Sequence, residues 1–444
     1  MENIVLRYLT LIIFIVEVIY FIKFKGKGEF LINEKFWVIY PWTFCLFMYY
    51  FSGIEYTYNL NFKSFFYILF YWICFFLGYL LTEKRRIKNN ENKYGDFKTK
   101  LNMFPFFIIS LISSFLYALY ILKTNNIVLG STRNIETNAF ATIFLFLSNV
   151  SFVIWLYELA YAILNDKKIP LFGYASAIIY NLPVILISGR DALIIFIIAT
   201  LIVIVYCGYY SKKILGNQGK SYKKIIKFLK TCFIMVILYM VFLSNRRYGS
   251  SSDAALDMFR WSSKSTFSDF LVALYYNLGG IGKLIINFLY YYTSQFSKFA
   301  LIFEKYNGPY LYGFYELHYV SRHLPSFLNL NYELVNYSLQ NIAINAGVPG
   351  IKVLWNTSIG HMIYDFGKIG ALIINFILGF IVSKISSWNN KEIDIFKIIF
   401  QIFICVAMFL TIELSPIFDY FYIFPFAWFI IIKILYNRLK KEII

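Results

Sequence analysis

Charged residues are scarce in this sequence, since Asp, Glu, Lys and Arg make up only 15% of its 444 residues. Soluble domains carry about 25% charged and about 45–50% apolar residues. Here 59% of the residues are hydrophobic, which would leave too few polar side chains to cover the surface of a soluble core. The scarcity of charge therefore excludes a soluble globular protein.

The sequence also lacks the patterns of common metal, disulfide and nucleotide sites. All five cysteines lie inside apolar runs without a CxxC pair, and the three histidines are scattered. The motifs HExxH, GxSxG, GxxxxGK[ST] and GxGxxG are absent. The segment closest to a sugar-nucleotide DxD motif, at residues 392–394, is interpreted as a solvated loop. We therefore expect neither a metal nor a cofactor.

Long apolar runs recur along the whole chain, and each is long enough to cross about 30 Å of hydrocarbon. Such runs must form helices in lipid, because unpaired backbone groups find no water there, and they lack the alternation of barrel strands. The sequence therefore predicts an all-α polytopic transmembrane helix bundle of about eleven spans. The first run is interpreted as a permanent span and not as a signal peptide. The predicted spans are residues 4–22, 36–52, 64–82, 104–122, 139–164, 169–187, 191–210, 225–243, 367–386, 396–413 and 417–436.

Basic residues alternate from one loop to the next. One set of loops and the C-terminal tail hold 25 Lys and Arg residues, whereas the opposite short loops hold only Lys63, Lys123, Arg133 and Arg190. Cytoplasmic loops carry the basic excess, so we expect the N-terminus outside and the C-terminus inside a bacterial cytoplasmic membrane. The net charge of +18 is therefore interpreted as charge that faces cytoplasm and anionic lipid. Membrane lipids are expected partners, and nucleic acid is not.

Residues 244–356 contain no clean span and would lie outside the membrane. The sequence thus predicts three parts: residues 1–243 with about eight spans, a large extracytoplasmic loop at 244–356, and residues 357–444 with about three spans. Residues 269–292 of the loop are apolar but interrupted by three glycines and a lysine, which favours a broken or re-entrant helix packed on the bundle. A pair of further spans at 269–303 is the alternative.

Arginines at the predicted outer face are the first candidates for a binding site. Arg190 lies in the short turn SGRD at residues 188–191, and Arg246 and Arg247 follow directly on the eighth span. The planar fork of a guanidinium matches phosphate oxygens, and adjacent outer arginines at a span exit are costly unless they meet an anion. The alternatives are an Arg190–Asp191 pair at the headgroups and contacts of Arg246 and Arg247 with lipid phosphates.

Acid and base candidates follow further along the chain. Asp365 stands at the predicted outer end of the ninth span, where a carboxylate could cap a helix or accept a proton from a bound hydroxyl. The same two interpretations apply to Glu413 and Asp419, on either side of the last outer turn. His323, next to Arg322, is a second candidate base.

Two stretches resemble a known family. The SGRD turn at 188–191, the basic span exit, the long Tyr-rich outer loop and the stretch from Asn356 to Gly370, which includes YDFGKIG, are together similar to the oligosaccharide repeat-unit polymerases, the Wzy-type O-antigen and capsule polymerases. The resemblance in architecture covers most of the chain. In individual residues it depends on the two short stretches.

The resemblance implies a metal-independent glycosyltransferase at the outer face of the cytoplasmic membrane. The donor would be a glycan on undecaprenyl pyrophosphate, and the acceptor would be one repeat unit on the same lipid. Arg190, Arg246, Arg247 and Arg322 would bind the pyrophosphate, where fixed positive charge stabilises the leaving group. Asp365 or His323 would deprotonate the acceptor hydroxyl. A chain-length regulator and a flippase would be its protein partners.

Two other functions fit the same architecture. A flippase or transporter of lipid-linked oligosaccharide is one, although such proteins usually show repeated halves and charged residues near the midplane. Only Glu17 and Glu158 lie inside predicted spans away from their basic or boundary ends. An O-antigen ligase is the other, and it differs from a polymerase only in its acceptor.

Overall fold

A computed structural model describes the parts of the chain that contain all or most of each predicted span. It covers residues 2–24, 34–86, 93–94, 100–124, 139–186, 191–215, 220–247, 254–315, 326–349, 357–387, 392–412, 415–416 and 419–443. Each predicted span coincides with a helix or with two consecutive helices, and most of their ends agree within a few residues. The largest difference is at the ninth span, which was predicted from residue 367 and begins at Ser358.

The helices of the described part are α1 (Glu2–Phe24), α2 (Glu34–Phe51), α3 (Phe62–Arg86), α4 (Phe104–Thr124), α5 (Ala139–Ser148), α6 (Val150–Leu164), α7 (Leu171–Leu186), α8 (Asp191–Leu215), α9 (Lys220–Arg247), α10 (Ala254–Ser263), α11 (Asp269–Asn277), α12 (Gly280–Lys305), α13 (Ser326–Ala346), α14 (Ser358–Ser387), α15 (Ile395–Leu410) and α16 (Tyr420–Ile443). The short strands are β1 (Ile54–Tyr56), β2 (Lys93–Tyr94), β3 (Ser265–Phe267) and β4 (Glu392–Ile393).

The predicted fold class is confirmed. Within the described residues, 8 segments are long and apolar enough to cross a membrane, with α5 and α6 together forming one of them. Two shorter apolar helices, Phe36–Phe51 and Ile395–Leu410, accompany them. The chain is therefore a helical membrane bundle, while the count of eleven spans stays a prediction.

The chain divides into two compact units that are not continuous in sequence. The first comprises Met1–Glu91, Tyr248–Asn390 and Ala407–Asp419, and the second comprises Asn92–Arg247, Lys391–Val406 and Tyr420–Ile444. Residues predicted as the outer loop thus pack with the first three spans and the ninth. The predicted three-part division follows chain order and stays a prediction.

Helices α3 and α14 pack closely in the first unit. A Cβ atom built on Gly78 would lie 2.0 Å from the carbonyl oxygen of Phe376, and one on Gly379 would lie 2.0 Å from that of Phe75. Only glycine permits this approach, which is typical of small residues at helix crossings in membranes. The side chain of Asn375 adds an interhelical hydrogen bond of 2.6 Å to a carbonyl of α3. The two helices run in the same direction, as the predicted topology requires.

Helix α6 forms the centre of the second unit, because all of its residues are buried. The indole nitrogen of Trp155 donates to the Thr200 hydroxyl of α8 at 2.9 Å. Tyr180 of α7 donates to the carbonyl oxygen of Phe421 at 3.0 Å. Each of these buried polar groups thus has a partner, as apolar surroundings demand.

The apolar segment at 269–292 is interrupted at its glycines, as the sequence predicted. Helix α11 ends at Asn277, and α12 begins at Gly280 after a turn in which Gly279 has φ 51° and ψ −122°. Glycine adopts this left-handed conformation at little cost. Gly282 also lies so close to α11 that a Cβ would stand 2.3 Å from the Leu274 carbonyl oxygen. Whether the helix pair re-enters the membrane stays a prediction.

Segments predicted on the same side of the membrane contact each other within each unit. In the first unit, β1 pairs antiparallel with β3, and both come from predicted outer segments. In the second unit, β2 pairs in parallel with β4, and both come from predicted cytoplasmic loops. The pairings agree with the alternation of loops, while the absolute orientation stays a prediction.

Thiol labelling tests that orientation. In a variant whose native cysteines are serines, Glu55→Cys should react with a membrane-impermeant maleimide on intact cells, and Lys168→Cys should react only after permeabilisation. Both positions are exposed, and only Lys168 belongs to the basic set of loops. The opposite labelling pattern would reverse the orientation and move every proposed outer site to the cytoplasm.

Candidate active site

Asp365 lies inside the first unit, close to a break in helix α14. The helix contains a non-helical residue, Gly367, with φ 70° and ψ 176°, and Asp365 precedes it by two residues. Its side chain is 0% exposed. Asp365 therefore belongs to the interior of α14 and does not cap the start of that helix at Ser358.

The segment that follows α12, residues 306–315, covers Asp365; we call it the tyrosine loop. Three backbone amides of this loop bond to α14. Leu311 N–H donates to the Tyr364 carbonyl at 3.1 Å, and Tyr312 N–H donates to the Asp365 carbonyl at 2.8 Å. Tyr315 N–H donates to Asp365 Oδ1 at 2.9 Å. The carboxylate thus orders the loop that covers it.

Aromatic rings form a buried cluster next to this carboxylate. The Tyr364 ring lies 5.0 Å from that of Tyr306 and 5.0 Å from that of Tyr315, measured between centroids. The imidazole of His361 stands edge-on to the Tyr315 ring, also at 5.0 Å. All four of these side chains are buried, so the surroundings of Asp365 are shielded from bulk water.

His361 is the functional candidate that the sequence pattern did not single out. It is 0% exposed and precedes Asp365 by four residues, which places both side chains on one face of the helix. Both also contact Tyr315, His361 through the ring and Asp365 through the amide. The spacing of four residues between His361 and Asp365 was the signal available in the sequence. Counting histidines for a metal site did not reveal it.

The break at Gly367 lets the tyrosine loop approach α14. A Cβ on Gly367 would stand 3.3 Å from the Tyr310 ring, besides requiring an unfavourable positive φ. One residue later, the Lys368 carbonyl accepts a hydrogen bond of 2.5 Å from the Tyr67 hydroxyl of α3. The break thus brings the backbone of Gly367 and Lys368 next to the phenols of Tyr310 and Tyr67.

Tyr306 remains a neutral hydrogen-bond donor at this site. Burial raises the pKa of its phenol, and the nearby Tyr310 and Asp365 raise it further. Its hydroxyl donates to the carbonyl oxygen of Pro309 within the loop. A phenol with a raised pKa stays protonated, so Tyr306 is not a candidate general base.

Several predicted site residues fall outside the described part of the chain. Arg190, Arg322 and His323 lie in segments that are not described, and their proximity to Asp365 stays a prediction. Arg246 and Arg247 are the last two residues of α9, but their side chains are not described. In the described residues the site therefore comprises Asp365, its helix and the tyrosine loop.

Among the residues that the structure describes, no three His, Cys, Asp or Glu side chains group together as metal ligands. His361 and Asp365 are flanked by phenols, which are uncommon ligands. The expected independence from a metal stays a prediction. The sequence matches no protein-family model, no curated protein and no solved structure.

Proposed function

We propose that the protein is a membrane glycosyltransferase that polymerises oligosaccharide repeat units carried on undecaprenyl pyrophosphate. The buried carboxylate of Asp365 carries this proposal. It lies within the stretch from Asn356 to Gly370 that resembles repeat-unit polymerases, and an ordered, aromatic-rich loop covers it. A proton acceptor of this kind is what glycosyl transfer to a hydroxyl requires.

The proposed reaction replaces the glycosyl-phosphate bond of the donor by a glycosidic bond to the acceptor. Asp365 takes the proton of an acceptor hydroxyl, and the oxygen attacks the anomeric carbon of the donor glycan. The bond from that carbon to the pyrophosphate breaks, and the lipid pyrophosphate leaves with the bonding electrons. Arg190 and Arg246 stabilise the charge that develops on it, without a metal ion.

The surroundings of Asp365 suit a transfer that must avoid water. Water competes with the acceptor hydroxyl, and its attack on the donor would waste the glycan. The buried rings of Tyr306, Tyr315 and Tyr364 exclude it, while the tyrosine loop remains attached to α14 by three backbone hydrogen bonds.

Deletion of the gene tests this function against the two alternatives. We expect cells without the protein to lose long surface polysaccharide but to retain glycans of one repeat unit, as seen by electrophoretic sizing. Loss of all surface glycan would instead indicate a flippase. Normal chain length on the lipid carrier, without transfer to the final acceptor, would indicate a ligase.

The pyrophosphate site gives a mutational prediction. Arg190→Ala and Arg246→Ala should each lower the rate of polymer formation by about 10²–10³, because each removes a donor to developing charge. Lysine should restore activity only in part, since a point charge lacks the fork of a guanidinium. The rate is measured with purified protein and lipid-linked repeat units, and equal amounts in the membrane control for insertion. Near-normal rates in both alanine variants would leave only contacts with lipid phosphates.

A further inference from the structure

Tyr312 occupies an unusual position in the tyrosine loop. Its side chain is exposed, with 75% of its surface accessible, whereas its neighbour Leu311 and nearby Tyr315 are buried. The ring therefore contributes little to packing within the described part of the protein. Phe314, two residues on, is also partly exposed, at 37%.

The backbone of Tyr312 is in a conformation that disfavours tyrosine. Its φ is 54°, in the left-handed region that bulky residues rarely adopt. Glycine or asparagine would tolerate this conformation better. The next residue, Gly313, also has a positive φ, of 99°. An exposed ring on strained backbone does not benefit the fold, and strain of this kind is concentrated at functional sites.

The loop holds Tyr312 in a fixed place beside the candidate base. Its amide donates to the Asp365 carbonyl at 2.8 Å, and Phe314 N–H donates to the Leu311 carbonyl at 3.1 Å to close the turn. The Asp365 side chain secures the next part of the loop through Tyr315. An exposed ring is thus carried by backbone that is hydrogen-bonded to the residue that we propose accepts the proton.

We infer that Tyr312 is a binding platform for a sugar ring of the glycan substrate, an inference that rests on the proposed function. A pyranose presents a face of C–H groups, and an aromatic face binds it with large contact area and little entropy cost. The phenol hydroxyl can bond to a sugar hydroxyl at the rim. Because Tyr312 is attached to Asp365, a sugar stacked on it would be held at a fixed distance from the base.

The test separates strain from binding. The probe is the soluble repeat-unit oligosaccharide, released by mild acid from the lipid-linked glycan of the native cells, so that neither lipid nor pyrophosphate contributes. Binding to purified protein in nanodiscs is measured for the wild type, Tyr312→Asn and Tyr312→Phe. Tyr337→Ala is the matched control, because Tyr337 is 65% exposed on the ordinary helical backbone of α13.

We expect Tyr312→Asn to weaken oligosaccharide binding about tenfold, which is the size of effect that loss of one aromatic contact produces. The same variant should melt about 1–2 °C higher, because asparagine relieves the strain. Tyr312→Phe should keep affinity within about threefold of the wild type, since it retains the ring. Tyr337→Ala should change neither property.

Unchanged affinity in Tyr312→Asn would overturn the inference. If the melting temperature of that variant also falls, the ring is an anchor in the lipid headgroups and not a binding platform. If the wild type elongates lipid-linked repeat units and Tyr312→Asn does so with the same KM, only the inference about Tyr312 fails. If the wild type neither binds the oligosaccharide nor elongates, the proposed function fails with it.

Discussion

Replacement of Asp365 by asparagine is expected to abolish polymer formation in a protein that remains folded. Asparagine keeps the shape of the side chain and an oxygen that can accept the Tyr315 amide bond of 2.9 Å, but it cannot take a proton from an acceptor hydroxyl. Loss of general base catalysis lowers a rate by about 10²–10⁴. Purified protein assayed on lipid-linked repeat units measures this loss, and a thermal melt of the same sample measures folding.

Asp365→Ala is the companion variant, because it removes the acceptor as well as the base. The buried Tyr315 amide then loses its partner, which costs about 1–3 kcal/mol. We therefore expect alanine to lower the melting temperature and asparagine to leave it close to the wild-type value. Wild-type turnover in Asp365→Asn would show that the carboxylate only orders the tyrosine loop. The search for the base would then turn to His361, His323, Glu413 or Asp419.

Alanine at Gly78 or at Gly379 is expected to destabilise the first unit strongly. Each new methyl group would stand 2.0 Å from a carbonyl oxygen of the facing helix, so α3 and α14 must separate. Overpacking of a well-packed contact costs about 1–3 kcal/mol and occasionally more. Backbone against backbone offers no flexible side chain to move aside, which favours the upper part of that range.

Thermal melting of the purified variants in the same detergent measures this effect. Ile373→Ala is the matched control, since Ile373 lies on the same helix but is 55% exposed on a face that does not pack against α3. It should melt close to the wild type. Wild-type melting in both glycine variants would mean that the two helices lie farther apart than the structure places them.

The helical spans could be predicted from the sequence because lipid leaves an apolar run no alternative. An unpaired backbone group has no water to bond within the membrane, so length and hydrophobicity alone indicate each helix. The break before α12 was equally local, because glycine adopts a positive φ at little cost and Gly279 has one of 51°. The start of the ninth span was predicted less well, because polar residues such as Ser358 and His361 interrupt the apolar pattern although they are buried within the protein.

The site itself was only partly predictable. The sequence drew attention to Asp365 through its position at a span end and through the resemblance around it. It did not indicate what covers that residue, because the tyrosine loop lies some fifty positions earlier in the chain. Hydrogen bonds between distant segments leave no period or spacing in a sequence. Tyr315 is an example, since its amide donates a hydrogen bond to Asp365 and its ring contacts His361.

What the sequence by itself determined is thus the class of fold: a helical membrane protein whose spans follow from apolar length. Only the tertiary structure decided that Gly78 and Gly379 each meet the backbone of the facing helix, and that an exposed tyrosine stands on strained backbone beside a buried carboxylate. The physical reason is the range of the interactions. Hydrophobic burial in lipid acts on each segment alone, whereas close packing and long-range hydrogen bonds exist only once the segments have come together.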